Sequence, residues 1–342
     1  MSVVELPAVR PTLADVACAA GVSVATASRV LNGFPGVRPE TRTQVESAMT
    51  TLGYARQRAA RSATPPCTGS IALIVCEDVL RLFADPYFAR VVSGVSKELP
   101  NAGMQLVLLA VPSTEDHRTW VARYLKGRHV DGALVVSMHG RRPLDLDWLD
   151  IPLVFGGRPD NGEVPDRHSY VDVDNRGGAE GATRYLIGAG RTKVATVAGP
   201  QDMTVGADRL RGYWQAVVEA GRPDRGMVVF GDFGQGSGEH ATARLLDRRP
   251  DVDAIFTASD LMAVGVLRAL RRAGRRVPDD VAVIGFDGLP LGQRTAPPLT
   301  TVRQPIEEMG ARMTRELVSM IGGPATPRRV VLDTELVVRE ST

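Results

Sequence analysis

The 342-residue chain has little cysteine: Cys18, Cys67 and Cys76 stand far apart, with neither metal-ligand nor redox-motif spacing. Three isolated thiols exclude a disulfide framework and fit free thiols in a reducing cytoplasm. The five histidines (His117, His129, His139, His168 and His240) show no H-x-x-x-H spacing, and no G-x-S-x-G elbow is present. Neither a helical metal site nor a hydrolase nucleophile is therefore expected, and no cofactor or metal is assigned. No stretch approaches the roughly 18 apolar residues of a membrane span. The opening MSVVELPAVR lacks a basic head followed by an apolar run, so no export signal is expected. The run GDFGQGSGEH at 231–240 is glycine-rich but lacks both the Lys-Ser/Thr ending of a phosphate loop and the dinucleotide spacing. It reads as a flexible lead into the next helix.

What is present is a globular composition, 44% hydrophobic and 23% charged, over a length that supports two or three cores. The net charge of +2 conceals an asymmetry: Arg10, Arg29, Arg38, Arg42, Arg56, Arg58 and Arg61 outweigh Glu5, Asp15, Glu40 and Glu46. Residues 1–63 thus carry +3 and the remainder −1. A positive end suits a partner whose phosphates must be neutralised.

Residues 12–32, TLADVACAAGVSVATASRVLN, read as two short helices clipped by a tight turn. Thr12 caps the first, with Asp15 as the reciprocal partner of a capping box. Gly21 makes the turn, Val22 plugs it and Ser23 caps the second helix. Alanines at 17, 20, 25 and 27 let the helices cross closely, and Leu13, Val16, Val22, Val30 and Leu31 supply the apolar face. A third helix starts at Pro39, with Val45, Ala48, Met49 and Leu52 at helical spacing, and Gly53 stops it.

The stretch resembles the headpiece of the LacI/GalR family of bacterial transcriptional regulators, through T-L-x-D-V-A-x-x-A-G-V-S, T-x-S-R-V-x-N and E-T-R. The resemblance continues through VDVDNRGGAE at 171–180, ASDLMAVGVLRAL at 258–270, DVAVIGFDG at 280–288, PPLTTVRQP at 297–305 and the final LVVREST. It implies an all-α helix-turn-helix headpiece at 10–54, a hinge linker at 55–69 and an effector-binding and dimerisation domain at 70–342. The second helix would enter the major groove. Val24 and Ala25 occupy the operator-discriminating positions; small and apolar, they touch a thymine methyl but read no donor–acceptor pattern. Arg29 lies near the same face, Thr26 and Ser28 serve phosphates, and Thr12, Ser23, Asn32 and Tyr54 complete the contact set. In the linker, Arg56, Arg58 and Arg61 repel one another until phosphates intervene. Two departures stand out: Ala55, Arg56 and Gln57 follow Tyr54 where the family commonly has Tyr-x-Pro-Asn, and Ala63 replaces the leucine that wedges into the minor groove. Less operator bending than the family norm is expected.

From residue 71 onward, short β-branched runs alternate with amphipathic stretches, which indicates doubly wound parallel sheets. Strands are expected at 71–75, 105–110, 132–137, 152–156, 193–198, 227–230, 254–258 and 281–286, too many for one mononucleotide-type sheet. Helices are expected at 86–99, 176–187, 203–220, 260–273 and 306–320. Two α/β lobes follow, and the family implies a periplasmic-binding-protein-like core whose chain crosses between them near 172–174, 302–304 and 331. The first lobe then holds about 70–172 and 303–330, the second about 173–302 and 331–342.

Side chains just past the strand ends line the crevice in such sheets. Asp287, Ser259, Asp260, Ser137, Asp85 and Phe88 stand there. The resemblance adds Arg209, in RLRGY, as the donor to the ligand, makes Asp287 the acceptor of a hydroxyl pair, and places Asp172, Phe233 and Gln304 on the cleft. Asp260 serves the cleft or caps its helix; Phe83, Phe88 and Phe233 are cleft aromatics or core; Asp174 and Asn175 cap the helix at 176. Carboxylates, an arginine fork and aromatic faces together suggest a sugar. The implied function is a repressor of carbohydrate genes, released from a palindromic operator by a mono- or oligosaccharide and acting as a homodimer, with helices 86–99 and 306–320 as interface candidates. A co-repressed regulator binding a purine or phosphoprotein is the alternative, with a sugar-binding protein or an enzyme on the same core behind it. The present headpiece argues against a transport component, and no spacing supports catalysis.

Overall fold

The computed structural model describes residues 12–31, 34, 36–52, 67–112, 115–140, 151–159, 168–323 and 326–342. Asn32, Gly53, Tyr54, Arg56, Arg58, Arg61 and Ala63, with nearly all of the linker, lie outside the described residues. The chain divides into two compact units, Met1–Pro66 and Cys67–Thr342.

The first unit holds α1 (Leu13–Ala19), α2 (Val24–Leu31) and α3 (Pro39–Leu52). Thr12 and Asp15 form the capping box: Asp15 N donates to Thr12 Oγ1 at 3.3 Å and Thr12 N to Asp15 Oδ2 at 2.7 Å. Gly21 takes φ +62°, the left-handed conformation that lets Val22 N reach back to Ala17 O. Ser23 Oγ accepts from Thr26 N at 3.1 Å and caps α2. Val16, Ala17, Ala27, Val30, Val45 and Ala48 form the small core, with Val22 packed at its edge.

The second unit begins with β1 (Ser70–Val75), α4 (Val79–Ala84), α5 (Pro86–Ala102), β2 (Gln105–Ala110), α6 (Glu115–Lys126), β3 (Gly132–Val136), β4 (Leu153–Gly156) and β5 (Ser169–Val173). It continues through α7 (Asn175–Gly188), β6 (Val194–Ala198), α8 (Thr204–Glu219), β7 (Val228–Phe230), α9 (Gln235–Arg248), β8 (Ala254–Thr257), α10 (Asp260–Arg272), β9 (Ala282–Asp287) and β10 (Thr300–Arg303). It ends with α11 (Ile306–Ile321), β11 (Arg329–Leu332) and β12 (Glu335–Val337).

Two six-stranded sheets result, ordered β2-β1-β3-β4-β5-β11 and β7-β6-β8-β9-β10-β12. The second repeats the order of the first, so each lobe has a topological switch point, between β1 and β3 and between β6 and β8. All pairings are parallel except β10 with β12. Strands such as β1, β3 and β6 are almost wholly buried, as apolar runs in covered parallel sheets must be.

Several sequence expectations need correction. β5 (SYVDV) and β10 (TTVR) are strands, because parallel neighbours supply their hydrogen bonds despite polar composition. The strands β11 and β12 belong to different sheets, so Val331 and Leu332 stay with the first lobe. The lobe boundary falls at 333–334 rather than 330–331. Within GDFGQGSGEH the helix α9 has already begun at Gln235. Gly238 is there for approach: any side chain on it would strike the backbone of Met262 on α10. Helix α7 starts at Asn175, capped by Asp174, whose Oδ1 accepts from Gly177 N at 2.8 Å. The interface candidates α5 and α11 pack on each other, so their facing surfaces are spent inside one lobe. A methyl on Gly94 of α5 would overlap the Glu307 carbonyl of α11.

Asp131 fastens the entry of this unit. Its carboxylate accepts from Thr68 N (2.6 Å) and Gly69 N (2.8 Å), and from the Cys67 thiol.

Candidate effector cleft and nucleic-acid interface

A cavity of about 420 Å³ lies between the sheets, lined from both lobes at the carboxyl ends of their strands. The two crossovers at β5 and β10 bring polar side chains to its floor, and these bond in an unbroken series. Asn175 Nδ2 donates to Asp172 Oδ1 at 2.9 Å, Arg209 Nε donates to Asn175 Oδ1 at 2.9 Å, and Arg209 Nη1 reaches Asp287 Oδ1 at 3.1 Å. Gln304 Nε2 donates to the same Asp287 oxygen at 2.7 Å. Arg209 also donates to Ala258 O, and its guanidinium stacks 3.7 Å over the Phe286 ring, so it has one position only.

Burial sets the electrostatics. It raises the Asp287 carboxyl to about 6, against the pull of Arg209. Burial likewise raises Asp85, Asp172 and the Tyr87 hydroxyl. Asp287 and Phe233 both sit at positive φ, +112° and +69°, held there by the surrounding contacts.

The lobes also touch directly across the cleft. His139, in the loop after β3, has Nε2 at 3.2 Å from Glu77 of its own lobe and Nδ1 at 3.1 Å from Asp202 of the other. The Glu77 bond leads in raising the His139 pKa, and Asp202 adds to it. Gly140 N donates to Asp202 O at 3.1 Å. Arg81 pairs with Glu77 and donates to Asp232 O, and Arg158 Nη2 donates to Asp208 Oδ2 at 2.6 Å.

Of the effector residues expected from sequence, Asp85, Phe88, Ser137, Asp172, Arg209, Phe233, Ser259, Asp287 and Gln304 all line this cavity. Asp260 does not: it is fully buried behind the wall, accepting from Thr301 Oγ1 at 2.6 Å and Leu289 N at 2.7 Å. The cap of α10 is Ser259, which accepts from Met262 N. Asn175, expected only as a cap, is a member of the bonded series. Glu77, Tyr87, His139 and Arg158 went unnoticed in the sequence, since each sits in a loop or first turn whose place on the cleft depends on tertiary packing.

In the first unit, α2 buries Ala27 and Val30 and turns Val24, Ala25 and Arg29 outward, with Val24 50% exposed. Val24 is thus an apolar side chain on the outer face of α2, beside Ala25 and Arg29. The Thr26 hydroxyl pairs with Ser23 at 2.9 Å, and Thr12 is exposed at the first turn of α1.

These two units define a helix-turn-helix carried on a two-lobed ligand-binding core. The profile of bacterial regulatory proteins of the lacI family matches residues 12–57, and that of the periplasmic binding protein-like domain matches 183–342. The chain is 48% identical to the HTH-type transcriptional regulator CelR of Thermobifida fusca over 336 residues, 97% of this chain and 98% of that one. It is 34% identical to the ribose operon repressor of Halalkalibacterium halodurans over 332 residues, covering 97% of each. Among solved structures, a transcriptional regulator CelR–cellobiose complex superposes with a TM-score of 0.78 at 46% identity, covering 97% of this chain and all of that one. The lac repressor dimer bound to operator and the anti-inducer ONPF gives 0.72 at 25% identity, covering 97% and 99%. The chain belongs to the lacI family of bacterial regulatory proteins and is a DNA-binding transcriptional regulator.

Proposed function

We propose that this protein is a repressor released from a palindromic operator by a neutral glucose disaccharide of the cellobiose kind. The observation that carries the reading is the bonded series Asp172–Asn175–Arg209–Asp287–Gln304 along a cavity large enough for a small oligosaccharide. Fixed donors and acceptors alternate there, as vicinal hydroxyls require. The complex of the relative CelR with cellobiose supports the choice of sugar. Residues 10–54 would grip DNA, 55–69 would link, and 70–342 would bind the effector, with Thr12, Ser23, Val24, Ala25, Thr26, Ser28 and Arg29 toward the duplex. The reading is of a cytoplasmic binding protein without turnover.

A homodimer matches a palindromic site. The lac repressor relative is a dimer in its operator complex, and α4 carries an apolar face, Leu80 and Phe83 being 83% and 78% exposed. A second copy would cover that face, and Leu80→Asp with Phe83→Asp would shift sedimentation toward monomer. The central test is calorimetric titration of cellobiose with and without operator duplex. Sugar and operator must weaken each other equally; equal sugar affinity in both titrations, or no binding by any neutral disaccharide, would overturn the reading.

A further inference from the structure

Arg158 follows β4, and its main-chain N–H donates to Asp172 Oδ2 at 3.3 Å, which joins it to the bonded series on the cleft floor. Its side chain crosses to the other lobe, where Nη2 donates to Asp208 Oδ2. Asp208 immediately precedes Arg209 on α8, and its second oxygen accepts from Arg211 Nη1 at 2.7 Å. Arg158 lines the cavity, yet its Nε is buried and no described group accepts its hydrogen. A buried guanidinium N–H without an acceptor is expensive, and such exceptions call for a partner that belongs there.

We propose that Arg158 reads the effector: as a neutral saccharide enters, a small turn of the side chain uncovers the Nε–H, which donates to a sugar oxygen while Nη2 keeps its bond to Asp208. One guanidinium then makes the ligand contact and the bridge between lobes, so occupancy and closure are tied through a single residue. The inference rests on the saccharide reading above and adds a selection rule. Nε and Nη2 form one edge of the guanidinium, the fork that takes a carboxylate or phosphate in two parallel bonds. An acidic sugar would seize both and draw Arg158 from Asp208. It would also add negative charge to a cavity lined by five carboxylates, Glu77, Asp85, Asp172, Asp202 and Asp287, against four arginines. A hydroxyl takes one bond and leaves the bridge intact. Arg158 therefore favours neutral over acidic disaccharides.

The experiment is calorimetric titration of the full chain and its variants with cellobiose and with its aldonic acid, cellobionate. Wild type binds cellobiose at least tenfold more tightly than cellobionate. Arg158→Lys keeps a cation for Asp208 but has no Nε–H, and Arg158→Gln loses both; each weakens cellobiose about tenfold while the unfolding midpoint without sugar stays near wild type. Asp208→Asn frees the fork and narrows the ratio between the two sugars. The inference is overturned if wild type binds both sugars equally, if Arg158→Lys binds cellobiose within twofold of wild type, or if Asp208→Asn leaves the ratio unchanged. Failure of wild type to bind any neutral disaccharide overturns the saccharide reading itself, and this inference with it.

Discussion

Arg209 serves Asn175, Ala258 and Asp287 at once, and removing it strands a carboxylate that is only 7% exposed. Breaking a buried pair from one side costs about 3–5 kcal/mol, because the other charge stays behind. Arg209→Gln should therefore abolish cellobiose binding and lower the thermal midpoint, measurable by calorimetry and circular dichroism; a variant with wild-type affinity would show that the arginine only packs. The place of Arg209 and Asp287 on the cleft was legible in the sequence, Asp287 from its position at a strand end and Arg209 from the family resemblance of RLRGY. That of Arg158 and His139 was not. Neither position follows from spacing, since each depends on how far the opposite lobe stands from the loop that carries it.

At the scale of the element, glycine explains much that hydrophobic periodicity could not. The three helix pairs α5 with α11, α7 with α8 and α9 with α10 each meet at a glycine: Gly94, Gly212 and Gly238 or Gly265. A side chain at any of them would strike the backbone of the neighbouring helix. Gly94→Ala should cost at least the 1–3 kcal/mol typical of overpacking, read from denaturant unfolding, and a neutral result would mean that α11 can slide. The sequence offered Gly238 as a sign of flexibility, whereas its reason is close approach. The capping box was legible outright, since Thr12 and Asp15 stand three apart ahead of an apolar run. Thr12→Ala removes a hydroxyl acceptor at α1 and should weaken operator binding several-fold without changing sugar affinity in the absence of DNA. The polar strands β5 and β10 escaped notice because their composition serves the cleft at their ends rather than the sheet.

For the whole core, His139 is a contact between lobes that titrates. Its pKa is raised, so the stability it contributes is complete below the free value near 6.5 and is lost as pH rises through the higher folded value. Above that value the neutral ring has one N–H to share between Glu77 and Asp202. Wild type should lose thermal stability from about pH 6.5 upward relative to His139→Gln, whose curve lacks that component. Parallel curves for the two proteins would remove His139 as the cause. The repeated strand order of the two lobes was half legible: alternating strands and helices indicated doubly wound sheets, and the number of strands demanded two. That the last two strands, β11 and β12, belong to different sheets was hidden, because Asp333 and Thr334 look like an ordinary turn rather than a passage from one lobe to the other.

The carboxylate of Asp131 gathers the first amides of the effector unit into one knot, so the chain entering this lobe has no slack of its own. A rotation of this lobe therefore moves residues 67–70 with it as one piece. Loosening the knot with Asp131→Ala should blunt the operator's response to sugar while leaving each partner's affinity measured alone nearly intact. A full response from that variant would place the transmission elsewhere.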